Sequence, residues 1–142
     1  MWKVKLLEEL SSRELLAVLR LRIDTFVVEQ TRIYHEVDDY DEVAYHIFYQ
    51  TEHGVEAYAR VFQLDDHVTF GRVVIKESLR GTGQGKALMN HVLATCHNHF
   101  PNQPIIIESQ EQVVPFYEKF GFETIGAAFI FEGTPHVEMK LE

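Results

Sequence analysis

Residues 79–88 read LRGTGQGKAL: Gly81, Gly83 and Gly85 alternate, and Lys86 follows at once. Glycine is used where backbone must adopt unusual dihedrals or approach a ligand closely, and the first N–H groups of a helix have no partner within it. The chemistry such a turn suits is the cradling of phosphate groups. Two phosphate signatures do not fit. A P-loop needs glycine where Arg80 stands and Ser or Thr where Ala87 stands, so the hydroxyl that would hold Mg²⁺ is missing. A dinucleotide fingerprint needs its third glycine at Lys86, and this turn follows several strand-like runs instead of opening the first βαβ unit. What is left is R-x-x-G-x-G, carried by Arg80, Gly83 and Gly85, directly after the run RVVI at 72–75.

Other residue types narrow the chemistry. Cys96 is the only cysteine, which excludes an internal disulfide, and it falls on an apolar helical stripe with Leu88 and Val92, the setting of a small hydrophobe and not of a nucleophile. The stretch HEVDDYDE gathers Glu36, Asp38, Asp39, Asp41 and Glu42 but lacks the glycine and the D-x-D-x-D-G order of a calcium loop, so it reads as an exposed, solvated loop. His35, His97 and His99 have no thiolate or carboxylate spacing to complete a metal site, and no metal is expected. The net charge of −9, from 22 acids against 13 bases, repels nucleic-acid backbones and draws in a cationic acceptor. Glu8 and Glu9 interrupt the N-terminal region, and no apolar run is long enough to span a bilayer. The expectation is one cytoplasmic domain over residues 1–142, with no membrane partner.

The elements that must position these residues follow from periodicity. WKVKLL at 2–7 alternates as a strand, and Ser11 three residues before Glu14 has the spacing of a capping box. Leu15, Leu16, Leu19, Ile23 and Phe26 predict the buried stripe of a first helix of about four turns. AYHIFYQTEHGVEAYARVF and HVTFGRVVI predict three strands in an antiparallel meander, with a turn at His53 and Gly54. A helix follows the glycine turn and stops before Pro101 and Pro104. PIIIES then predicts a strand buried on both faces. EQVVPFYEKF predicts a short helix starting between Gln112 and Pro115 and ending at Gly121. FETIGAAFIF and HVEMKL close the chain as strands around a turn at Gly133 and Pro135. The order β, α, three β, α, β, α, β, β is that of a mixed α/β fold around a mostly antiparallel sheet.

Placed between a strand and a helix, R-x-x-G-x-G resembles the acyl-CoA pyrophosphate loop of the GNAT superfamily of N-acetyltransferases. QEQVVPFYEKFGF is similar to a second GNAT segment, usually an Asn, then F-Y six residues on, then G-F. Phe116, Tyr117, Gly121 and Phe122 match it, and Gln110 stands where Asn is usual. RIDTFVVEQ and GTPHVEM further resemble the ElaA-like branch. The resemblance implies the GNAT fold, acetyl-CoA as co-substrate, and a small-molecule or exposed peptide amine as acceptor; it leaves a homodimer open. It implies that the backbone from Gly81 through Thr82, Gly83, Gln84 and Gly85 to Lys86, with Arg80, holds the pyrophosphate, and that Gln110, Phe116 and Tyr117 meet the pantetheine arm.

In the mechanism this resemblance implies, an amine attacks the thioester directly while both substrates are bound. An alkylamine with a pKa of about 10.4 is neutral in only about one molecule in two thousand at pH 7, so a base or water relay is useful. Tyr117 is the candidate donor to the leaving thiolate. Main-chain N–H groups around Val73, Val74 and Ile75 are candidates for the oxyanion, provided neighbouring strands splay. Glu29, beside Val27 and Val28 and so expected to be partly desolvated, ranks first as base, then Glu108 and then His136; His46 is a further relay candidate. A rival from another class is a CoA-binding sensor or interaction module that keeps the cradle without turnover.

Overall fold

In the computed structural model, which describes residues 1–142, seven strands form one sheet in the order β1-β2-β3-β4-β5-β7-β6. The strands are β1 (Trp2–Lys5), β2 (Tyr45–Thr51), β3 (Gly54–Gln63), β4 (Val68–Ile75), β5 (Ile105–Gln110), β6 (Glu123–Phe131) and β7 (Thr134–Leu141), and the helices are α1 (Ser12–Ile23), α2 (Gln84–His99) and α3 (Val114–Glu118). Every neighbouring pair is antiparallel except β4 and β5. The expected meander is present as β2-β3-β4.

Strand β3 is buried from Val55 to Phe62 because helices cover both faces of the sheet there. On one face Leu88, Met89, Val92 and Cys96 of α2 pack on Ile47, Ala59, Val61, Phe70, Ile107 and Met139; on the other Val18 and Leu21 of α1, with Phe26, pack on Phe48, Tyr58 and Val74. Burying such side chains contributes roughly 1.5–3 kcal/mol each. Strand β4 changes phase between these layers. Against Tyr58 to Arg60 on β3 it spends one residue more, from Gly71 to Val74, and Arg72 takes φ 52°. An inserted residue reverses the alternation of a strand. Val73 and Ile75 therefore follow Phe70 onto the α2 side, and Val74 turns under α1.

Three expectations need correction. Helix α1 is capped as predicted, with Ser11 Oγ accepting from the Glu14 N–H and Glu14 accepting from the Ser11 N–H. Its buried face, however, is Glu14, Val18, Leu21 and Arg22, while Leu16 is 58% and Ile23 38% exposed. The helix continues in a wider π-type coil over Asp24–Glu29. The acidic stretch is solvated only in part: Asp39 and Glu42 are exposed, but Glu36 and Asp41 are 5% and 8% exposed. Arg22 meets Glu36 and Asp41 at 2.9 and 2.8 Å, Arg60 meets Asp38 and Asp41, and Arg72 meets Glu36 at 2.9 Å. Arginine partners from α1, β3 and β4 make this burial tolerable, since an unpaired buried carboxylate would cost several kcal/mol. Strand β5 is not covered on both faces either. Ile105, Ile107 and Ser109 are buried, whereas Glu108 is exposed.

Candidate active site

Strands β4 and β5 are paired only at Val68 and Ile105 and diverge beyond that point. The opening holds a cleft of about 560 Å³ lined by Phe70, Val73, Ile107, Gln110, Phe116 and Tyr117. The rest of its wall includes Arg32, Asp38, Arg60, Arg72, Glu108, His136 and Glu138. The splay that the oxyanion assignment requires is thus present, and Val73 lies on the cleft. Val74 is buried under α1, and the Ile75 carbonyl accepts from Arg80 Nε at 3.0 Å.

The glycine turn is shaped by dihedrals that L side chains avoid. Gly81 and Gly83 have φ 81° and 88°, and Gly83 caps α2 in the left-handed region with no side-chain cap. The N–H groups of Gly81, Gly83, Gln84, Gly85 and Lys86 have no acceptor in the protein. Together with the positive end of the α2 dipole they form a setting for an anion. Gly85 brings this turn against the cleft: a Cβ there would lie 3.4 Å from the Phe116 ring, which itself lines the opening. Thr82 spends its hydroxyl on the Leu79 carbonyl, Lys86 is exposed, and the Gln84 Oε1 is buried without a partner. Gln110 lines the cleft and its Oε1 accepts from Gln112 at 2.6 Å. These residues fit an acyl-CoA, whose pyrophosphate needs donors and whose pantetheine arm needs a slot between strands.

Tyr117 stands on α3, which begins with Pro115 in its first turn and ends before Gly121 at φ 95°. Its ring is buried among Phe70, Phe116 and Phe122. Burial raises the phenol above its ordinary pKa, and its hydroxyl makes no hydrogen bond within the protein. His136 is 7% exposed, and its Nδ1 donates to the Thr134 carbonyl at 2.8 Å. That bond assigns the donor role to Nδ1 and leaves Nε2 without a partner on a residue that lines the cleft. Phe129 and Phe131 flank the ring at 6.2 and 5.5 Å.

Two of the base candidates lie elsewhere. Glu29 is not desolvated: its side chain is 41% exposed and meets Arg80 at 3.7 Å, outside the cleft lining. The π-type coil turns it outward, toward the glycine turn. His46 is enclosed in the ionic cluster, outside the cleft lining, where its Nε2 donates to the Asp41 carbonyl and its Nδ1 accepts from Tyr58 at 2.6 Å. Cys96 is buried in the core, and burial pushes its thiol up to about 12, which fits the small-hydrophobe reading. Sequence reasoning passed over Arg32, Arg60, Arg72 and Glu138 as cleft residues; only the alternation of HVEMKL, which puts His136 and Glu138 on one face, signalled any of them.

A seven-stranded mixed sheet, splayed beside a glycine turn that opens a helix, defines an acyl-CoA-dependent acyltransferase fold. The chain belongs to the GNAT acetyltransferase family, whose domain matches residues 9–142. Within it the chain falls in the ElaA-like branch. It is 37% identical over 139 residues to Protein ElaA of Escherichia coli, covering 94% of this chain and 91% of that one. The crystal structure of E. coli ElaA superposes with a TM-score of 0.95 at 35% identity, over 100% of this chain and 99% of the other. An acyl-CoA N-acyltransferase from Pseudomonas aeruginosa gives a TM-score of 0.93 at 30% identity, over 99% and 97%. Acyl transfer from an acyl-CoA is the activity class this membership supports.

Proposed function

We propose that this chain is an N-acetyltransferase that moves an acetyl group from acetyl-CoA to a primary, cationic amine by direct attack while both substrates are bound. The observation that carries the reading is the opening between β4 and β5, where an unbonded Tyr117 hydroxyl and a free His136 Nε2 line one cleft. The N–H groups of Gly81, Gly83, Gln84, Gly85 and Lys86 hold the pyrophosphate, and Arg80 stiffens the turn through the Ile75 carbonyl and Glu29. His136 Nε2 accepts the proton of the attacking amine. The amide C–N bond forms as the C–S bond breaks, and Tyr117 donates its proton to the departing thiolate. Raised by burial, the phenol stays protonated through the neutral range, which suits a donor. Backbone donors of β4 near Val73 stabilise the oxyanion.

Incubation with acetyl-CoA and a panel of polyamines, amino acids and lysine peptides tests the reading. Free thiol is expected to appear faster with at least one acceptor than without any. Measurable CoA binding with no acceptor-dependent release would instead make the chain a CoA-binding sensor.

A further inference from the structure

The uncovered face of β5 and β7 carries a charge pattern that the protein does not itself resolve. Glu108 and Glu138 are direct cross-strand partners, and both line the cleft. Carboxylates directly opposite on one face have Cβ atoms only about 5 Å apart, repel each other and destabilise the sheet. Neither carboxylate has an ion-pair partner within the protein. Lys140, two residues along β7 on the same face, meets Glu142 at 2.9 Å. Arg60 and Arg72 are taken by Asp38, Asp41 and Glu36. Arg32, also on the cleft wall, pairs with neither glutamate: its guanidinium lies over the Tyr34 ring, 4.7 Å from the centroid, and donates to the Glu132 carbonyl. The second observation is independent of this pair. His136, two residues before Glu138 and so on the same face, is buried to 7% exposure with its Nε2 unbonded at the cleft.

We propose that the acceptor is an α,ω-diamine. One amino group attacks as the free base and passes one N–H proton to His136 as the amide forms, while the other remains an ammonium between Glu108 and Glu138. This rests on the acetyltransferase reading above. Two residues of strand separate the two positions by about 7 Å, the reach of a four- or five-carbon chain. A monoamine leaves the carboxylate pair uncompensated, and an α-amino acid would set a like charge against it. One C–N bond forms, one C–S bond breaks, and the second nitrogen leaves unreacted and charged.

The test pairs binding with turnover. Calorimetry compares 1,4-diaminobutane with butylamine on the CoA-loaded protein, and thiol release from acetyl-CoA compares butylamine with diamines of two to six carbons. The four- and five-carbon diamines are expected to bind at least tenfold tighter than butylamine and to give the highest kcat/KM. Glu108→Gln and Glu138→Gln should each weaken diamine binding about tenfold and pull the diamine-to-butylamine ratio toward one. The same changes should raise the melting temperature of the free protein by removing the repulsion, which also shows that the variants fold. Diamine binding lost in the variants, with no turnover of any amine, would support the site and overturn the transferase reading. Butylamine used as well as the diamines, or variants that bind diamine like the parent, would overturn the site and leave the transferase reading standing.

Discussion

Replacing Tyr117 with Phe removes a single oxygen from the cleft and almost nothing from the fold. The hydroxyl makes no hydrogen bond in the protein, so its removal orphans no partner, and the ring keeps Phe70, Phe116 and Phe122 at 5.8, 5.2 and 6.1 Å. The stability change should stay within about 0.5 kcal/mol. If Tyr117 protonates the leaving thiolate, the variant loses a general acid, which contributes 10²–10⁴-fold, or roughly 3–5 kcal/mol of barrier. Thiol release at saturating acceptor should therefore fall at least about a hundredfold. Calorimetry should return a CoA Kd within about twofold of the parent, because the interaction is made in the transition state and not in the ground state. A variant that keeps more than about a third of kcat would remove Tyr117 from the chemistry and leave it a core aromatic.

Gly83→Ala forces a Cβ into the left-handed region at φ 88°, which costs about 1–2 kcal/mol in stability. It also moves the N–H groups that follow, so CoA affinity should fall about tenfold by calorimetry while kcat at saturating CoA changes little. Acid sensitivity should trace to Glu14. Burial opposes its ionisation, but hydrogen bonds from Lys3, the Ser11 N–H and Lys5 prevail and lower its pKa from 4.5 to about 2. Between those values the unfolded chain binds more protons than the folded one, so stability falls as pH drops from about 4.5 toward 2. Urea unfolding of Glu14→Gln should be flatter across that window than unfolding of the parent; parallel curves would show that Glu14 is not the linked group.

The features legible in the sequence were those encoded locally. Glycines 81, 83 and 85 need no distant partner to mark a turn, Pro115 and Gly121 bracket a short helix, and alternation marks the meander. What escaped depends on residues brought together from far apart. No periodicity announces that Glu36 and Asp41 are buried, because their burial rests on Arg22, Arg60 and Arg72 from three other elements. The face of α1 was misread for the same reason: Glu14 and Arg22 point inward only because Lys3, Lys5 and the acidic stretch receive them. The opposition of Glu108 and Glu138 needs a register that exists only once β7 inserts between β5 and β6. Glu29 lies outside the cleft for a geometric reason, since the π-type coil carries it past the opening to Arg80.

The enclosed set of Arg22, Arg60 and Arg72 with Glu36, Asp38 and Asp41 constrains how this protein can change over time. Each member neutralises at least one other, so a lone exchange to an apolar residue strands a charge away from water, whereas concerted replacement of both partners can be nearly neutral. Substitution here should therefore proceed by correlated jumps across α1, the 36–41 segment, β3 and β4. Variant libraries built one position at a time would find this half of the molecule unyielding.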